Sequence, residues 1–297
     1  MYRWALLSLL AWHAIDAPAY QDGRKAVFAT AVATAAGPIR DLSAKDFVVH
    51  EDKATREVVD AELATEPLSI LLLVDTTQPP LGSTAPTLDL RTSLQTFVKM
   101  IRDGNPGAQF ALTEIAGASV ARTKFDAPPL DLDNAIQRLN PNIVSTAVML
   151  EALADASRTI AEKPAPRRVI VTIDFGSHDT SAETTLNKVA DDVHKSGASV
   201  WSVSVRGQGD ETVARAAILN TVTLNSGGLR LTIVEPTGLV SQLKVIANSL
   251  LSQYTITFAR QGGGALKNLK IDTTRGGKVL PTVFVRDRPS SRLGFGE

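Results

Sequence analysis

The strongest constraint on the fold is the run Leu68-Ser69-Ile70-Leu71-Leu72-Leu73-Val74, which is almost wholly apolar and shows no period-2 alternation. A strand with one wet face must alternate. A strand that does not alternate is buried on both faces, as parallel strands are when helices cover the sheet above and below. Arg168-Val169-Ile170-Val171-Thr172-Ile173 and Ala198-Ser199-Val200-Trp201-Ser202-Val203 read the same way. Gln109 to Ile115 reads as a half-buried strand paired with the run Val120 to Phe125.

Helical periodicity fills the gaps between these runs. Leu90, Leu94, Phe97, Val98 and Ile101 share one helical face, and Leu150, Leu153, Ser157 and Ile160 a second. Leu186, Val189, Ala190 and Val193 make a third stripe, and Leu239, Leu243, Ile246 and Leu250 a fourth. Buried strands alternating with amphipathic helices specify an α/β fold, a doubly wound and mainly parallel sheet with helices on both faces.

The ends of the chain have a different character. Val27 to Val32, Phe47-Val48-Val49 and Val58-Val59 are short strand candidates, separated by the turn signals Gly37-Pro38 and Glu51-Asp52-Lys53. After Ser252, Tyr254, Ile256 and Phe258 alternate with threonines, Leu269 and Ile271 alternate again, and Val279 to Val285 is a third candidate. Too few strands lie at either end for a stable sheet alone, so the two sets are expected to pair into one small β domain. The expected organisation is an N-terminal β segment over 26–66, the α/β domain over 67–253, a C-terminal β segment over 254–286 and a loose tail over 287–297.

Arg3, the apolar run Trp4 to Ile15 and the small residues of Ala17-Pro18-Ala19 form the pattern of a signal peptide over 1–19. The expected location is therefore extracytoplasmic, periplasmic or secreted. No later stretch is long and apolar enough for a transmembrane helix. Lys+Arg and Asp+Glu both total 31, which leaves no basic footprint for nucleic acid. With no cysteine, disulfides, zinc–thiolate sites and cysteine nucleophiles are excluded.

Chemistry on such a sheet belongs at the carboxyl ends of the strands. One buried strand ends in Asp75-Thr76-Thr77-Gln78-Pro79 and another in Asp174-Phe175-Gly176, while Ser145-Thr146-Ala147 precedes a helix. Two carboxylates and several hydroxyls at one edge suit a hard divalent cation. The same aspartates also suit a purely structural role, capping strand ends by accepting loop N–H groups.

A strand ending in Asp-x-Thr, a hydroxyl loop before a helix and a later strand ending in aspartate resemble the von Willebrand factor type A (VWA) domain and its metal-ion-dependent adhesion site. The flanking Gly37-Pro38-Ile39-Arg40-Asp41-Leu42 and Asp46 to Asp52, with Ser226-Gly227-Gly228 and Leu251-Ser252-Gln253-Tyr254, are similar to an exported bacterial subfamily described first from acidobacteria. The resemblance spans about Val27 to Val285 and implies a Rossmann-like VWA fold. It implies metal ligation by Asp75, Thr77, Thr146 and Asp174, with Mg²⁺, or else Mn²⁺ or Ca²⁺, as the one cofactor. Gln78, Ser145, Phe175 and His178 would rim a surface that docks a protein partner. It also implies that the α/β domain is inserted between the two β segments.

The motif is degenerate. Pro79 stands where a second hydroxyl ligand belongs, and Phe175 follows Asp174 where glycine is usual. His178-Asp179 reads as a solvated loop pair bordering the crevice, Arg206-Gly207-Gln208-Gly209 as a turn, and Gly262-Gly263-Gly264 as a hairpin connection. No Gly-x-Ser-x-Gly elbow or nucleophile–base pair points to an enzyme. The leading expectation is an adhesion-type protein-binding module, and its alternative a structural or assembly component with a vestigial, metal-free site.

Overall fold

A computed structural model describes residues 23–77, 85–140, 146–205, 213–260, 266 and 268–285. The segment 1–19, Gln78, Pro79, Ser145, the Arg206 to Gly209 turn, Gly262 to Gly264 and the tail 287–297 lie outside the described residues.

The chain opens with β1 (Arg24–Ala31), β2 (Phe47–Glu51), β3 (Ala54–Arg56) and β4 (Val58–Leu63). It then alternates through β5 (Leu68–Asp75), α1 (Ala85–Gly104), β6 (Gln109–Ile115), β7 (Ser119–Thr123) and α2 (Pro129–Gln137). The short β8 (Thr146–Ala147) leads to α3 (Met149–Ala161), β9 (Arg167–Asp174), the short β10 (His178–Asp179) and α4 (Glu183–Ser196). Next come β11 (Ser199–Val205), α5 (Val213–Ser226), β12 (Arg230–Ile233) and α6 (Leu239–Leu250). The chain closes with β13 (Gln253–Ala259), β14 (Leu269–Arg275), β15 (Lys278–Leu280) and β16 (Thr282–Val285).

The central sheet has the order β12-β11-β9-β5-β6-β7, parallel throughout except for β7. Every residue of β5 and β11, and all but one of β9, is buried, as the unalternating sequence requires. Alternate residues feed two layers. Ile70, Leu72, Val74, Val171 and Ile173 meet α1, α2 and α6 on one face. Leu71, Leu73, Ile170 and Val200 meet α3, α4 and α5 on the other.

The terminal strands pair with each other. β1 lies between β13 and β16, β13 also pairs with β4, and β14 pairs with β2. The resulting four-stranded sheets, β16-β1-β13-β4 and β15-β14-β2-β3, share a core of Val27, Phe47, Val49, Tyr254, Ile256, Phe258 and Ile271. Buried Arg167, at the start of β9, ties these sheets to the central one. Its guanidinium donates to the carbonyls of Ala64 and Glu66 at 2.9 Å, to that of Leu250 at 2.7 Å and to Gln253 Oε1 at 2.9 Å.

Two helices, α2 and α5, add to the four expected from periodicity. The buried positions of α5 are Arg215, Leu219, Val222 and Thr223, which follow helical spacing but begin with a charge and end with a hydroxyl. The helix stops at Gly227, whose φ of 84° is left-handed, and Gly228 then runs against β11. A Cβ on Gly228 would lie 1.8 Å from the Val200 carbonyl oxygen. Gly228→Ala is therefore expected to cost about 1–3 kcal/mol through forced separation of α5 and β12 from β11. Urea unfolding measures this, and an unchanged midpoint would contradict the close approach.

Candidate functional site

Strand register builds the site. Val74 pairs with Ile173 across β5 and β9, so the next residues, Asp75 and Asp174, end neighbouring strands side by side. Side chains alternate along a strand, which puts both carboxylates on the face covered by α3, α4 and α5. Neither has any solvent exposure.

Each aspartate first caps its own strand end. Asp75 Oδ1 accepts from the Thr77 N–H at 2.8 Å, and Asp174 Oδ1 from the Gly176 N–H at 3.3 Å. Gly176 adopts a φ of 70°, a left-handed turn that brings its N–H back to the carboxylate. Asp174 Oδ2 accepts from Ser204 Oγ at 2.8 Å, because Ser204 is the register partner of Asp174 on β11. Arg230 in turn donates to Ser204 Oγ from Nε at 2.9 Å and from Nη2 at 2.8 Å.

Thr77 is fully buried, and its Oγ1 faces Asp75 Oδ1 and, at 2.6 Å, Ser177 Oγ. Ser177 Oγ also lies 2.6 Å from the Thr77 carbonyl, to which it donates. Thr146 arrives at the same edge through a two-residue parallel bridge, in which it pairs with His178 and Ala147 with Asp179. Asp179 Oδ1 accepts from the Ser181 N–H at 2.8 Å, and Oδ2 from the Leu150 N–H at 3.3 Å, the latter at the start of α3.

The decisive residue comes from α5. Arg215 is fully buried, with Nη2 at 3.2 Å from Asp174 Oδ1 and 3.5 Å from Asp75 Oδ2. Its Nε is 4.0 Å from Asp179 Oδ2, and its Nη1 donates to the Ser177 carbonyl at 2.7 Å. A guanidinium thus stands between the two strand-end carboxylates. Burial pushes the Asp75 carboxyl up from 3.8 to about 6; the Arg215 charge and the Thr77 hydroxyl oppose that rise, and the Asp174 charge adds to it. Burial prevails because withdrawing the carboxylate from water costs more than the neighbouring positive charge and hydroxyl return.

The expected metal ligands Asp75, Thr77 and Asp174 therefore come together, and Thr146 lies at the same edge. As arranged they do not fit a metal ion. Ligand oxygens must lie about 2.0–2.6 Å from a hard divalent cation, and the gap between the carboxylates is filled by guanidinium nitrogen. Among the described residues no group of three or more His, Asp or Glu is placed to hold a metal.

The rim differs from expectation. Phe175 is 5% exposed and packs into the core layer beside Ile173 and Val205, because its side chain points to the opposite face from Asp174. His178 is exposed. Its neighbour Asp179 is not the solvated loop residue expected but an inward-facing carboxylate, its side chain 2% exposed, beside Arg215. Gln78 and Ser145 lie outside the described residues. The sequence reading missed Arg215, Ser177, Ser204 and Arg230. For Arg215 the signal was its place on the helical face that continues through Leu219 and Val222.

No protein-family model matches the sequence, and no curated protein matches it. Solved structures do share the fold. The PilB minor pilin from Streptococcus sanguinis is similar with a TM-score of 0.52 and 11% identity, over 64% of this chain and 62% of that one. A von Willebrand factor type A protein from Catenulispora acidiphila covers 90% of this chain and 74% of its own, with a TM-score of 0.50 and 11% identity. Proximal thread matrix protein 1 from the mussel byssus covers 67% of this chain and 50% of its own, with a TM-score of 0.51 and 14% identity. The chain thus spans less than two thirds of the pilin and half of the byssus protein. At these identities the likeness establishes a VWA-like fold, a mainly parallel sheet between helices with antiparallel sheets beside it.

The Asp75 shift sets a pH dependence. A carboxyl that binds its proton more tightly when folded stabilises the fold in acid; that contribution is complete below about pH 4 and is lost as pH rises through about 6. Asp75→Asn cannot titrate, so its stability relative to the parent is expected to rise by up to about 3 kcal/mol from about pH 4 to about pH 7. Denaturant unfolding across that range reads the difference, and a pH-independent offset contradicts the burial of an ionisable Asp75.

Proposed function

We propose that this chain is an exported, adhesion-type protein-binding module that docks a protein partner at the mouth of the crevice, on a degenerate metal-ion-dependent adhesion site. One observation carries the reading. The β8–β10 bridge holds half-buried Thr146 beside exposed His178 at the carboxyl ends of the parallel strands, above the buried ion pairs of Arg215 with Asp75, Asp174 and Asp179. That edge presents a preformed surface to a partner and gives no nucleophile–base pair to a substrate among the described residues.

The neighbours agree in character. One is a minor pilin and another a byssus matrix protein, the latter also solved with zinc in its adhesion motif, at a TM-score of 0.50. No helix among the described residues is long and apolar enough to cross a membrane. Export rests on the segment 1–19.

A photo-cross-linking residue at position 178 of the full chain, in the cells that export it, is expected to trap a discrete protein adduct. The same residue at position 279, where Val279 is exposed on β15, should give none. Adducts at 279 and none at 178 would favour the alternative, assembly through the terminal β segments. N-terminal sequencing of the exported protein is expected to begin at Tyr20, and a chain still starting at Met1 would refute cleavage.

A further inference from the structure

We propose that Arg215 is a built-in cation: tethered on α5, it holds the place between Asp75 and Asp174 that a divalent ion would take, and the crevice is assembled without metal. This stands whether or not the crevice docks a partner.

The geometry carries it. The guanidinium is fully buried and meets both strand-end carboxylates through one nitrogen, at 3.2 and 3.5 Å, with Asp179 near its Nε. Its Nη1 is fixed by the Ser177 carbonyl, within the turn that follows Asp174. A divalent ion close enough to bond either carboxylate would have to displace these nitrogens or sit against their positive charge.

The remaining ligand positions agree. Thr77 Oγ1 is engaged with Asp75 and Ser177, and Asp174 Oδ2 with Ser204. Pro79 brings no side-chain oxygen to the loop. The two departures from the motif are complementary: a hydroxyl ligand is lost from the first loop, and a fixed positive charge is supplied from α5. A planar guanidinium suits the position better than an ammonium, because it reaches several oxygens in a fixed fork.

Thermal unfolding of the full chain tests this. The melting temperature of the parent protein should not change with millimolar Mg²⁺ or Mn²⁺. A rise that Asp75→Asn abolishes would overturn the proposal. Arg215→Met leaves buried carboxylates without their cation, and a fall of roughly 5–10 °C is expected. Adding Asp75→Asn and Asp174→Asn keeps the oxygen that caps each turn but removes the charge, and should recover more than half of that loss.

If Arg215→Met does not fold and the triple variant does, charge compensation is established. If both are equally unstable, or both fail to fold, Arg215 acts by packing and the proposal is wrong. Unchanged stability of Arg215→Met alone would also overturn it.

Discussion

Two aspartates close neighbouring strands that are buried on both faces, and water reaches neither carboxylate. An ionised carboxylate left alone in such a place is strongly unfavourable. The arrangement at this end of the sheet therefore depends on the guanidinium of Arg215 between them. The other contacts extend outward from it: Asp174 to Ser204 to Arg230 on one side, and Asp75 to Thr77 to Ser177 on the other. Such a cluster adds little net stability compared with apolar packing, because desolvation offsets the attraction. Its effect is positional, since the opposite charges meet only when α5 and the strand-end turns adopt one arrangement.

That requirement couples the site to the backbone. Arg215 reaches the carboxylates because α5 lies on their face of the sheet, and just after that helix Gly227 packs against β16 and Gly228 against β11. β9 runs from one buried arginine to one buried aspartate. At its start Arg167 gathers carbonyls from the segments that lead to and from the terminal sheets, and at its end Asp174 pairs with Arg215 of α5. The two ends of one strand thus fix the antiparallel sheets and the site in a common frame.

The resemblance to the VWA domain implies a metal-dependent adhesion site at the edge where this chain holds a guanidinium. The motif in the sequence and the site in three dimensions differ for a chemical reason. A motif specifies oxygens, and oxygens that suit a divalent ion suit a guanidinium as well. Asp75 and Asp174 keep their second role, capping the turns that follow their strands, whichever cation they meet.

Much of the fold was legible in the sequence because its signals are local. The unalternating runs at β5, β9 and β11 required burial on both faces, and the stripes of α1, α3 and α6 required a sheet to cover. The alternation at Tyr254, Ile256 and Phe258 required a half-buried sheet, and the shortage of strands at each end required pairing between the ends. The sequence also placed Asp75, Thr77, Thr146 and Asp174 at one edge, since a parallel sheet brings strand ends together. It misplaced Phe175, whose direction follows from alternation after Asp174, and Asp179, whose inward-facing side chain lies on the strand bridged to β8. Only the tertiary structure decided what neutralises the carboxylates. Arg215 is far from Asp75 in sequence, and in a helical pattern a charged residue marks the wet face. Its burial follows from the two carboxylates opposite it, and that pairing exists only once the sheet, α5 and the turn after β9 have been assembled together.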